Sequence, residues 1–298
     1  MSDMDKLINL FTYLNIPLAE NKLMGPCTVI VFLGIEIDAI NKVIRLPQDK
    51  LSHLLVTLPH WKGKRKCTKK DLLSLIGSLS WACKVVKPGR LFLRRLIDLS
   101  TTVSRLHHHI TINKEALADI EWWLEFLPKW NGIEMIQSPM VSNISIRLAT
   151  DASSLGIGAH FENHWFSFPL DHFGSIDIMR QGPDVPFDIN RWELFALVAA
   201  VFTWGHLWDN KQILVYVDNL TLTYVWSRGC RDKCLMHLIR SLFLFTAQHN
   251  INVMLQHVPG ISNVIPDLLS RLQVDRFREH LPSADHDPTP ISNLVWQL

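Results

Sequence analysis

The apolar positions of this chain change their period from one segment to the next. Leu7, Leu10, Phe11 and Leu14 stand at helical spacing before Gly25-Pro26 interrupts them. Val29 to Ile37 is a β-rich run, Asn41 breaks it, and Val43 to Leu46 resumes it, which predicts a β-hairpin closed by Pro47. From Gln48 to about Trp130 the spacing is helical again. Leu51, Leu54, Leu55 and Leu58 form one stripe, and Leu72, Leu73, Ile76 and Leu79 form a second. Lys62 to Lys66 fill the turn between them, and Thr68 to Asp71 loosely match a capping box. After the break at Lys87-Pro88-Gly89-Arg90, a helix from Lys114 carries Leu117, Ile120, Trp123, Leu124 and Leu127 and stops at Pro128.

Beyond a Ser/Pro/Asn-bearing linker from Ser138 to Ser142, the texture becomes that of alternating strands and helices. Ile144 to Thr150, Gly156 to Phe161 and His164 to Phe168 read as strands, and Asp171 to Asn190 as a loop. Arg191 to Trp208 is a strongly apolar helix, Gln212 to Val217 a buried strand, and Leu220 to Trp226 and Cys234 to Gln248 are helices. Ile251 to His257 is the last strand and Asn263 to Leu272 the last helix. The order predicts an α/β domain with a mixed five-stranded sheet, preceded by a mostly helical region and a hairpin. Residues 273–298, with Pro282, Pro288 and Pro290, read as a disordered tail.

Composition sharpens this picture in two places. Nearly half of the 298 residues are apolar, enough for a full core. The net charge of +2 conceals an uneven distribution: residues 41–110 hold fifteen Lys/Arg against three Asp, so the remainder is net acidic. Five scattered cysteines point to a reducing compartment rather than a disulfide framework, and Cys230 and Cys234 have no second pair to complete a zinc site. The N-terminus lacks a signal-peptide pattern, and the longest apolar run, from Leu194, falls well short of the ~20 residues of a membrane span. An intracellular protein, cytoplasmic or nuclear, is expected.

The candidate chemistry lies in four acids: Asp151, Glu193, Asp218 and Asp267. Two end predicted strands and two lie on predicted helices, so one fold can gather them. Such a cluster repels itself unless cations occupy it, and two hard ions about 3.5–4 Å apart are a common device for phosphodiester cleavage. Taken singly, each acid is equally an ordinary turn or helix-start residue.

Together their motifs resemble those of the type 1 ribonuclease H domain. The resemblance covers Ile144 to Arg271 and rests on Thr150-Asp151-Ala152-Ser153, Gly156-x-Gly158-Ala159, Glu193 and Val217-Asp218-Asn219. It also rests on His257-Val258-Pro259-Gly260-Ile261-Ser262-Asn263 leading to Asp267 and Leu269-Ser270-Arg271, a stretch characteristic of retroelements. Phe32-Leu33-Gly34-Ile35-Glu36 resembles the primer-grip hairpin ending a reverse-transcriptase palm. Lys50 to Trp130 resembles the thumb and connection, and the whole is most similar to DIRS-like retrotransposon polyproteins.

The resemblance implies four parts: a palm end at 1–46, a helical thumb and connection at 47–135, a ribonuclease H-like domain at 144–272, and the tail. It implies cleavage of the RNA strand of RNA/DNA hybrids with two Mg²⁺, or Mn²⁺, held by Asp151, Glu193, Asp218 and Asp267. His257 would assist proton transfer or product release. Lys64, Arg65, Lys66, Lys69 and Lys70 would hold duplex phosphates, and Asn219 would approach the hybrid. Implied partners are hybrid and duplex nucleic acid, an upstream polymerase palm and a downstream recombinase of the same polyprotein. No two aspartates are adjacent, so no polymerase activity is expected, and Pro266 replaces the small residue usual in the family. The alternative is a catalytically silent remnant that only binds nucleic acid. The His107-His108-His109 run reads as a solvated helix end.

Overall fold

The computed structural model describes residues 3–129, 133–134, 146–176, 179, 187–249 and 251–298. The linker from Ser138 to Ser142 and residues 177–178 and 180–186 of the loop before Asn190 lie outside the described residues. The first part contains helix α1 (Asp3–Tyr13), strands β1 (Val29–Phe32), β2 (Ile35–Asp38) and β3 (Val43–Arg45), helix α2 (Gln48–Thr57) and strand β4 (Lys66–Thr68). Helices α3 (Lys69–Ala82) and α4 (Arg94–Ser100), strand β5 (His109–Thr111), helix α5 (Lys114–Lys129) and strand β6 (Ile133–Glu134) follow. The second part begins with strands β7 (Ile146–Ala152), β8 (Gly156–Phe161) and β9 (His164–Pro169) and helix α6 (Ile189–Trp204). Strand β10 (Gln212–Val217), helices α7 (Leu220–Arg228) and α8 (Lys233–Gln248), strand β11 (Asn252–His257) and helices α9 (Val264–Ser270) and α10 (Val274–His280) complete it.

The second part has the expected mixed, helix-flanked sheet of a ribonuclease H-like fold, in the order β11-β10-β7-β8-β9. β7, β8 and β9 form an antiparallel meander, while β10 runs parallel to both β7 and β11. A helix apolar on every side must be covered on every side. Accordingly, every residue of α6 from Trp192 to Trp204 is buried, between the sheet and α8. On the opposite face of the sheet Trp165, Leu268, Leu269, Phe277 and Ala284 form a smaller cluster under α9 and α10.

Three expectations are corrected. The single run Val29 to Ile37 is itself a hairpin: Leu33 and Gly34 turn with positive φ, and β1 pairs antiparallel with β2, which pairs in turn with β3. Gly34 is required there twice over, because a Cβ would stand 2.9 Å from the Trp81 ring, whose Nε1 donates to the Gly34 carbonyl at 3.2 Å. Second, the basic turn runs into β4, which pairs with β5, so the histidine run leads into a strand rather than ending a helix.

Third, residues 273–298 are not a loose tail. Phe277 and Val295 are fully buried, each worth on the order of 1.5–3 kcal/mol, which offsets the ordering of the segment. Trp165 Nε1 donates to the Asp285 carbonyl at 2.7 Å, the Thr289 amide donates to the Trp165 carbonyl at 2.7 Å, and Trp296 stacks 5.6 Å from Phe173.

Candidate metal centre

Strand pairing brings the first two acids together. Ala149 on β7 is in register with Tyr216 on the parallel strand β10, so two residues further on Asp151 and Asp218 leave the same edge of the sheet. In open α/β sheets the carboxyl ends of neighbouring strands are the usual place for a ligand. α6 then enters with Asp188 as its cap, accepting from the Asn190 amide at 3.1 Å, and Glu193 follows as its fifth residue. One ligand oxygen each from Asp151, Glu193 and Asp218 all lie within 4.8 Å of one another. Among the described residues this is the group of acids that can hold a metal ion.

Asp267 is placed differently. It lies in the first turn of α9, and its Oδ1 accepts from Arg271 Nε at 2.7 Å. It therefore stands outside the converging three, though its charge still acts on Asp151.

The electrostatics are those of crowded buried acids. Asp151 and Glu193 are 4% and 3% exposed, and Asp218 is half-buried. Burial holds the Asp151 carboxyl well above the usual carboxylate range. A hydrogen bond from Ser270 pulls against it, and repulsion from Asp218 and Asp267 adds to it. Burial raises Glu193 as well, and the charges of Asp151 and Asp218 raise it further. Glu193 Oε2 is buried with no hydrogen-bond partner. An orphaned carboxylate oxygen beside two other acids costs free energy that a divalent cation would remove. All-oxygen ligands suit Mg²⁺ or Mn²⁺ rather than zinc. The donor set thus fits a hard divalent ion.

The remaining candidates divide. His257 is exposed at the end of β11 and its Nε2 donates to the Asp218 carbonyl at 3.1 Å, which puts it at the rim of the acids. Asn219 caps α7, accepting from the Thr221 amide at 2.9 Å, and donates to Asn190 Oδ1 at 3.0 Å. It thereby ties the loop of Asp218 to the first turn of α6. Lys64 and Lys66 line a groove of about 510 Å³ with Cys67, Thr68, Asp71 and His109. Arg65 and Lys70 are exposed, whereas Lys69 Nζ is spent on the Val103 and Ser104 carbonyls at 2.7 and 3.3 Å. Lys69 is therefore a structural residue in this arrangement. No helix among the described residues is long and apolar enough to cross a membrane.

One contact of the site escaped sequence reasoning: Ser270, whose hydroxyl meets Asp151. Its signal was its place three residues after Asp267, which puts the two on one face of α9.

No protein-family model matches this chain, and no curated protein matches it. Among solved structures it is similar to a foamy viral protease-reverse transcriptase in complex with RNA/DNA hybrid. The two are 14% identical over 86% of this chain and 33% of that one, with a TM-score of 0.33. It is similar also to the foamy viral protease-reverse transcriptase in complex with dsDNA, at 14% identity over 85% of this chain and 51% of that one, again with a TM-score of 0.33. The chain thus spans about a third and about half of those two proteins. The ribonuclease H-like assignment of the fold rests on the sheet order and helix placement of this chain itself.

Proposed function

We propose that this chain is a divalent-metal-dependent endonuclease of the ribonuclease H type, cutting the RNA strand of RNA/DNA hybrids as part of a retroelement reverse transcriptase. The observation that carries the reading is the convergence of Asp151, Glu193 and Asp218 on one edge of the sheet, with Glu193 Oε2 buried and unpaired. Asp151, Glu193 and Asp218 would hold Mg²⁺ or Mn²⁺, with Asp267 joining by releasing Arg271. The bound ions supply charge that eases proton loss from water and stabilises the leaving 3′ oxygen. The chain itself contributes the rest. α6 and the sheet exclude water from two of the carboxylates, and His257 offers a titratable ring at the rim to take or give a proton. Lys64, Arg65, Lys66 and Lys70 are available for duplex phosphates. The DIRS-like origin and the palm, thumb and connection roles of the first part belong to the same proposal.

A second reading, a silent fold that binds nucleic acid without cutting it, is favoured by the pairing of Asp267 with Arg271. Labelled RNA/DNA hybrid with purified protein, with and without Mg²⁺, separates the two. The nuclease reading expects Mg²⁺-dependent cleavage that Asp151→Asn abolishes. Binding without cleavage at any Mg²⁺ or Mn²⁺ concentration favours the silent fold.

A further inference from the structure

We propose that Ser270 is a positioning residue of the acidic site: its hydroxyl, donated to Asp151 Oδ2 at 2.5 Å, fixes the plane in which Asp151 presents its carboxylate to a divalent cation. The inference rests on the metal-dependent reading above and assigns a role within it.

Packing explains why the hydroxyl reaches so far into the sheet. A Cβ on Gly158 would stand 2.5 Å from Leu269 Cβ and 2.6 Å from the Ser270 amide nitrogen, and one on Gly156 would stand 3.0 Å from the Ser270 carbonyl. Only glycine at these positions lets the end of α9 rest directly on the backbone of β8. Ser270 is fully buried there and held from its other side, because Ser153 Oγ donates to its carbonyl at 2.8 Å. Ser153 Oγ in turn accepts from the Leu155 and Gly156 amides at 3.0 and 3.3 Å. The serine is thus anchored to the turn that follows Asp151.

The hydroxyl has one hydrogen and two acceptors within reach, the Asp267 carbonyl at 3.0 Å and Asp151 Oδ2 at 2.5 Å. The shorter contact is to the Asp151 carboxyl oxygen. The terminal torsion of an aspartate is broad, so without a donor the Asp151 carboxylate is free to turn. A group behind a metal ligand that fixes its orientation typically governs affinity by 10–100-fold.

The test is Mn²⁺ binding to the full chain, followed by calorimetry and by the electron paramagnetic resonance of free Mn²⁺, for the parent and Ser270→Ala. Metal-free melting is recorded alongside. The expected result is Mn²⁺ affinity about 10–100-fold weaker in Ser270→Ala while the metal-free protein still melts cooperatively. Should the alanine variant not fold, Ser270→Cys, which keeps a hydrogen on the γ atom, is expected to bind between parent and Asp151→Asn. Equal affinity in parent and variant, or a lower melting temperature with unchanged affinity, overturns the positioning role and leaves the metal site standing. Absence of Mn²⁺ binding by the parent overturns the metal site and this role together.

Discussion

Arg240 on α8 reaches into the helical region and holds the buried carboxylate of Asp119 on α5, with Nε 2.9 Å from Oδ1. Arg95 from α4 approaches the same carboxylate at 3.4 Å, and its other amino group donates to the Cys230 carbonyl at 3.3 Å. Asp119 is fully buried and the two guanidiniums are 14% and 11% exposed, so the triad ties the helical region to the ribonuclease H-like part. Burial alone would favour a neutral Asp119, and the two arginines oppose that.

Removing one partner from such a group leaves uncompensated buried charge. Asp119→Ala should therefore cost about 3–5 kcal/mol. Calorimetry is expected to show one cooperative transition in the parent. In the variant the transition should fall sharply or split in two as the parts uncouple.

The glycine under α9 makes a second prediction. At Gly158 the obstructing atoms are a Cβ and backbone, which cannot swing aside. Gly158→Ala should cost about 1–3 kcal/mol by overpacking and lower the melting temperature. Ala at Gly77, where a Cβ meets nothing within 4 Å, should leave melting unchanged or raise it.

The raised carboxyls of Asp151 and Glu193 set the pH response. Both bind protons more tightly folded than unfolded, so their contribution is full below the unfolded carboxylate values, near pH 4, and is lost as pH rises through the folded ones. Metal-free protein should melt at steadily lower temperature from about pH 5 to 8. Glu193→Gln should flatten that slope, and millimolar Mg²⁺ should restore stability at the alkaline end by binding only the folded state. Monovalent salt of equal ionic strength should not, since it screens charge without ligating the acids.

Within the basic run, the structure separates residues that look alike in sequence. Replacing Lys64, Arg65, Lys66 and Lys70 with Ala should make the salt slope of duplex binding shallower by roughly 0.9 for each phosphate no longer neutralised, without changing the fold. Lys69→Ala should instead lower the melting temperature, because its ammonium bridges two carbonyls of the segment after α4. A slope unmoved by the four-residue variant would assign that surface to solvent.

What the sequence made legible was chemistry in motifs and strongly periodic elements. Asp151 and Asp218 were readable because each stands at a strand end, and Glu193 because it directly precedes the apolar run of α6. α6 was readable because its run from Leu194 to Phe202 contains no polar residue. The turn at Leu33-Gly34 was not, since a leucine with positive φ breaks the ordinary preference. Nor was the β4–β5 pair, three residues each and some forty positions apart in sequence. Prolines in 281–298 hid a segment whose anchors, the buried Val295 and Trp296 stacked on Phe173, lie in one short apolar run too brief to show a period. Asp267 reads as a ligand from its motif, yet its partner in this arrangement is Arg271 on the next turn.

The seat of α9 has a bearing on heredity. Its height above the sheet is set by two side chains that are missing, at Gly156 and Gly158, and not by the acids. A related gene can keep all four carboxylate codons and still lose the alignment of Ser270 with Asp151 through one base change in a glycine codon. A comparison of related chains that reads the four acids alone would pass over such a change. The two glycines set where the helix rests, and they belong in the comparison beside the acids.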